Sequence, residues 1–147
     1  MKVLPGISAE DCLFADLLID PGSAGCLSLE ATDLLLYSKK LNTDYHLIIW
    51  QAGIIGALDH PKLHDNTNGI KLLLKYLRQY YNLDHPIILY SAAQYPGLEP
   101  LIIRSTLENL LELKLSRIST LYLPPLQKTS CDKTMLNELK INITDII

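Results

Sequence analysis

Apolar residues recur along the chain in short runs separated by polar, Gly- or Pro-bearing joints, and the period of each run predicts its element. "YHLIIWQA" (45 to 52) is continuously apolar, the pattern of an inner strand buried on both faces. In "TNGIKLLLKYLRQYYN", Ile70, Leu73, Leu74, Leu77 and Tyr81 fall on one helical stripe, with Lys71, Lys75 and Arg78 off it. "AEDCLFADLLI" predicts an earlier helix, with Ser8 as N-cap and Glu10 and Asp11 where the helix dipole favours negative charge. That helix stops at Asp20-Pro21-Gly22.

The remaining segments are shorter. "MKVLPG" reads as the tail of a strand and a turn, "CLSLE" as an alternating strand, "ATDLLLYSK" as a short helix, and "GIIGALDHPKLHDN" as irregular. A strand at 87 to 90 and an extended piece at Leu101 to Ile103 precede "TLENLLELK", a helix capped at Ser105 or Thr106. "ISTLYLPP" is a last strand closed by two prolines, and "CDKTMLNELK" a short peripheral helix. Strands alternating with helices predict an α/β fold, a mixed β-sheet flanked by helices. The expected division is one lobe over 1–125 and a peripheral tail over 126–147.

Composition narrows the classes. The 147 residues suffice for one domain with a real core. A net charge of −3, with no basic cluster stronger than Lys39-Lys40, argues against a nucleic-acid partner. No apolar run approaches a membrane span, and Met1-Lys2 leads into Pro5-Gly6 without a secretory pattern. Three cysteines without CxxC spacing are expected to be reduced thiols, so the expected location is the cytoplasm.

Most candidate chemistry has a plainer reading. His60 and His64 stand four apart, but Pro61 disfavours a helix there, so a solvated loop is expected rather than a metal site. His46 and His85 stand alone at strand starts and are read as structural. The pair Glu10-Asp11 serves helix capping, and no cysteine has the cationic setting that makes a nucleophile. The sequon Asn142-Ile143-Thr144 means little without a secretory signal. There is no GxGxxG or Walker loop. One pattern remains, in which four strands or strand-like tails give way to small residues. These are Gly6-Ile7-Ser8-Ala9, Gln51-Ala52-Gly53, Ser91-Ala92-Ala93 and Ser119-Thr120. In open α/β sheets, ligands lie beyond the carboxyl ends of strands, where small side chains leave room.

At those residues the chain resembles the C-terminal lobe of the tetrapyrrole methylase superfamily, the class III S-adenosylmethionine-dependent methyltransferases. The strings are "PGISAEDCLFADL", "GCLSLEATDLL", "WQAGIIG", "YSAAQYPG" and "RISTLYLPP", in order over roughly residues 2 to 125. They look most similar to the borosin-type peptide α-N-methyltransferases and bacterial relatives. The resemblance implies S-adenosyl-L-methionine as cofactor. It further implies contacts from Ser8 and Ala9 after the Pro-Gly turn, from Gln51 at a strand end, from Ala92 and Ala93, and from Ser119 and Thr120 near the adenosyl part. The family's N-terminal lobe, with its Gly-rich loop and substrate-activating Tyr and Arg, has no counterpart here, and no catalytic residue is assigned. The expected role is thus a truncated or split half lining the cofactor cleft. Its acceptor would be a peptide or a tetrapyrrole, and its partner a second copy in a homodimer or a separate N-terminal lobe. The alternative is a non-catalytic remnant or interaction module. Trp50, Tyr80, Tyr81, Tyr95 and Tyr122 are read as aromatic surface for such an interface.

Overall fold

The computed structural model describes residues 6–57, 66–126 and 130–145. Five strands form one sheet: β1 (Cys26–Glu30), β2 (His46–Trp50), β3 (Pro86–Ser91), β4 (Leu101–Thr106) and β5 (Thr120–Leu123). Their order is β1-β2-β5-β3-β4. β1 pairs with β2 in parallel, and the other three pairings are antiparallel. The sheet is therefore mixed, as the alternation of elements predicts. The carboxyl ends of β1, β2 and β3 share one edge with the amino ends of β4 and β5.

Helices cover both faces. α1 (Ala9–Leu17) packs on one face, where Leu13 meets Ile48, Ile88, Tyr90 and Tyr122. α2 (Ala31–Leu36) and α3 (Thr67–Leu77) pack on the other, with Leu34, Leu73 and Leu77 against Leu47, Ile49, Ile87, Leu121 and Leu123. Odd and even positions of β2 thus feed two separate cores, which is why "HLIIW" is apolar throughout. α4 (Lys133–Glu138), capped by the Asp132 carboxylate, has no buried residue. Among the described residues no helix is long and apolar enough to cross a membrane.

Several boundaries differ from the sequence reading, and α3, for one, ends at Leu77, short of Tyr81. α1 ends at Leu17, because Leu18 turns left-handed (φ 55°) and Ile19 N–H bonds back to the Phe14 carbonyl. β4 extends to Thr106, since "RST" completes a six-residue ladder on β3 at a sheet edge that tolerates polar side chains. The segment read as a helix from Thr106 is a 3-10 helix, Leu107–Glu112, and the Thr106 side chain does not cap it. Its leading N–H groups are taken by loop carbonyls, Leu107 on His85 at 2.9 Å and Glu108 on Leu83 at 2.8 Å. The tighter helix aligns Leu107 and Leu110 so that both are fully buried.

The aromatic reading also needs correction. Tyr81 and Tyr122 are each only 3% exposed and belong to the cores, Tyr80 packs at the edge of one, and Trp50 is half-buried. Of the five aromatics, Tyr95 alone is freely exposed. Counting aromatics overlooked that each sheet face has its own core to fill. His60, His64 and the "MKVLP" segment lie outside the described residues.

Candidate functional site

The edge where β2 and β3 end carries a pocket of about 260 Å3. Strand alternation builds it. Tyr90 lies directly across from Thr120, and Trp50 and Ala92 lie on the α1 side of the sheet with Ile48 and Tyr90. Trp50, Thr120 and Ala92 line the pocket from three neighbouring strands, and Ala9 at the start of α1 lines it from the helix. The rim adds Gln51, Gln94, Arg117 and Ile118.

Local sequence sets each wall. Ser8 caps α1 in a reciprocal box, its hydroxyl accepting from Asp11 N–H at 3.2 Å while the Asp11 carboxylate accepts from Ser8 N–H at 3.3 Å. Gln51 leaves β2 in the left-handed region (φ 56°), which turns the chain sharply at the strand end. The Ala52 N–H then bonds the Ser119 carbonyl at 3.1 Å, tying this turn to the entry of β5. Gly53 allows the turns to touch, since a Cβ there would lie 1.8 Å from the Ser116 carbonyl oxygen.

Of the seven positions implied by resemblance, Ala9, Gln51, Ala92 and Thr120 line this one pocket. Ser8 caps the helix beside it, and Ala93 is exposed just beyond Ala92. Ser119 is fully buried, and its hydroxyl lies 3.1 Å from that of Ser116 and accepts from Ser116 N–H at 2.8 Å. Trp50, Gln94, Arg117 and Ile118 were not anticipated. For Trp50 a signal existed, because alternation from Ile48 assigns it to the face of Tyr122. Arg117 and Ile118 reach the pocket only because β5 inserts between β2 and β3.

Beneath the pocket, several buried polar groups pair with one another, whereas among the described residues the Ser91 and Tyr81 hydroxyls are buried without a hydrogen-bond partner. Tyr90 donates to an Asp16 carboxylate oxygen at 2.8 Å, and burial, then Asp16, raises its pKa. The His46 Nδ1 pairs with the Tyr122 hydroxyl at 2.7 Å, and burial lowers the imidazole pKa despite Asp20 nearby. His85 Nε2–H donates to the Pro124 carbonyl at 3.0 Å. Both histidines thus serve structure, as expected from their isolation. Burial, reinforced by Glu10, pushes the Cys26 thiol up to about 11, the opposite of a reactive cysteine. A wider cavity of about 490 Å3 opens between the start of α3 and the 3-10 helix, bordered by Gly53 of the turn after β2.

No protein-family model matches the chain. Sequence relatives are close, however. Over 98% of its length it is 38% identical to a methyltransferase/ribosomally synthesized cyclic peptide gymnopeptides precursor of Gymnopus fusipes, covering 35% of that protein. It is 46% identical, over 84% of its length, to a type III borosin methyltransferase/cyclic peptide precursor of Anomoporia bombycina, covering 15% of it. The chain is thus similar in sequence to part of the borosin methyltransferase/peptide precursors. Its fold matches a cobalt precorrin-4 methyltransferase, a cobalamin biosynthetic enzyme, at a TM-score of 0.50 and 13% identity, over 84% of this chain and 51% of that one. The motif resemblance to the borosin branch and the tetrapyrrole methylase fold therefore holds. The chain spans about a third of the length of the first curated proteins it matches, 35% and 38%.

Proposed function

We propose that this chain is the cofactor-binding lobe of an S-adenosyl-L-methionine-dependent methyltransferase whose acceptor is a peptide. The observation that supports it is the convergence of Ala9, Gln51, Ala92 and Thr120, from four separate segments, on one strand-end pocket. Small side chains there leave room for a nucleoside, and the amides of Gln51 and Gln94 offer donors and acceptors for its polar edges. S-adenosyl-L-methionine would supply an electrophilic methyl group, and the role of these residues is to hold it in place. A peptide acceptor is favoured because the sequence relatives join a methyltransferase to a cyclic peptide precursor. A tetrapyrrole is the acceptor class that the fold alone would suggest.

The pocket is smaller than the roughly 300–1,000 Å3 of a complete small-molecule site. A second wall, from a partner copy or a separate N-terminal lobe, would complete it. Residues 1–125 form the lobe in this reading, 126–147 a peripheral tail, and the setting is the cytoplasm. A non-catalytic binding module is the second reading, favoured by the absence of Cys or His among the pocket-lining residues. Calorimetry with S-adenosylhomocysteine tests the cofactor. We expect a Kd between about 1 μM and 1 mM, or roughly −8 to −4 kcal/mol. No heat at millimolar ligand, with the chain folded, refutes the assignment. A radiolabelled-methyl assay on peptide and porphyrinogen substrates should show no turnover by the chain alone, and turnover would identify a complete catalytic unit.

A further inference from the structure

Two segments that line the pocket, α1 and the end of β2, are joined through β1 by a short polar relay. The Trp50 indole Nε1–H donates to the Ser28 hydroxyl at 2.7 Å. The same hydroxyl donates to a Glu10 carboxylate oxygen, also at 2.7 Å. Ser28 lies on β1 opposite Ile48, so Trp50 is its diagonal neighbour two residues along β2. Glu10 stands in the first turn of α1, next to Ala9. The relay therefore fastens two walls of the pocket, the indole of Trp50 and the start of α1, to one side chain on the edge strand.

Chemistry restricts what can occupy position 28. Trp Nε1–H is a donor only, and an ionised carboxylate is an acceptor only. A hydroxyl joins them because it accepts from one while donating to the other, and the carboxylate strengthens the second bond. Without that link, the indole keeps only its packing against the α1-side core and loses its tie to the first turn of α1.

We propose that Ser28, backed by Glu10, is a positioning residue that sets the orientation of Trp50 and hence the shape of the nucleoside pocket. The proposal rests on the cofactor reading above for its consequence, but the orienting role stands on the hydrogen bonds. Trp50 is the single tryptophan of the chain, so its signal is unambiguous. The test uses the full chain as wild type, Ser28→Ala, Ser28→Thr and Glu10→Ala. The indole N–H resonance is followed by NMR without ligand, and S-adenosylhomocysteine affinity is measured by calorimetry. S28A should move the indole resonance upfield, speed its solvent exchange and weaken binding about fivefold, the scale of one net hydrogen bond. S28T, which keeps the hydroxyl, should restore both signals, and E10A should fall between. An unchanged indole signal in S28A, or equal losses in S28A and S28T, overturns the proposal. A displaced indole with unaltered affinity overturns it too. If the wild type binds no S-adenosylhomocysteine while S28A displaces and S28T restores the indole signal, the cofactor reading fails and the orienting role of Ser28 is upheld.

Discussion

Replacing Gly53 with alanine should cost this fold more than any other exchange of a described glycine for alanine. Gly53 does not need glycine for its own torsions, since its φ lies outside the left-handed region. The constraint is contact, because an added Cβ would stand 1.8 Å from the Ser116 carbonyl oxygen and 2.5 Å from its carbon. Relief requires moving backbone by more than 1 Å, since Cβ contacts under 3.0 Å essentially do not occur. The atom struck is main chain in a turn pinned by the Ser119 hydroxyl and by Ala52 N–H on the Ser119 carbonyl, so no side chain can swing away. Overpacking costs about 1–3 kcal/mol, and a rigid backbone target puts G53A at the upper end, about 3 kcal/mol. For a chain of this size that is a loss of roughly 10 °C in Tm. Gly56 is the control: its φ of 80° strains an alanine, but nothing lies within 4 Å, so about 1 kcal/mol is expected. Paired thermal and urea denaturation of G53A, G56A and wild type measures the difference. A G53A protein within 0.5 kcal/mol of wild type would falsify the claim that the two turns are in backbone contact. The same variant should lose ligand affinity, because those turns carry Gln51, Arg117 and Ile118.

Filling the pocket with Ala92→Leu should weaken S-adenosylhomocysteine binding at least about tenfold while leaving Tm nearly unchanged, since the added atoms occupy open space; equal affinities by calorimetry would remove Ala92 from the site. Ser8→Ala removes the capping hydroxyl of α1 and should cost about 1 kcal/mol in urea denaturation, with no effect contradicting the cap. Burial lowers the folded pKa of His46 and of His85 below the ordinary 6.5, so the unfolded chain binds more protons. Their contribution to stability is thus complete above pH 6.5 and is lost as pH falls through the folded values; a urea midpoint that rises from pH 7 to pH 5 would contradict the burial of neutral imidazoles. Tyr95, Leu98 and Ile118 leave apolar surface exposed around the strand ends, and we expect dimers in sedimentation equilibrium at micromolar concentration, a stable monomer being the refuting result.

Much of this protein was determined by sequence alone. The two-faced apolar run at 45 to 52, the stripe from Ile70 to Leu77 and the Ser8 cap each act within a few residues, so local physics made them legible. The motif strings likewise pointed to the borosin relatives, because short segments in order along the chain carry that similarity. What the sequence could not supply was adjacency. β5 comes late in the chain, yet inserts between β2 and β3, and that order alone brings Thr120, Arg117 and Ile118 beside Gln51 and Ala92. A 3-10 helix formed where an α-helix was expected, its first N–H groups held by the carbonyls of His85 and Leu83, two partners that lie far back in the chain. Trp50 reads as interface surface in the sequence, whereas in the fold its indole donates to Ser28 on the edge strand, whose hydroxyl in turn donates to Glu10 of the helix. Residues 10, 28 and 50 belong to three elements, and no periodicity couples them. Side-chain type and spacing decide an element, whereas a site assembled from strand ends depends on long-range strand order, which only the folded chain contains.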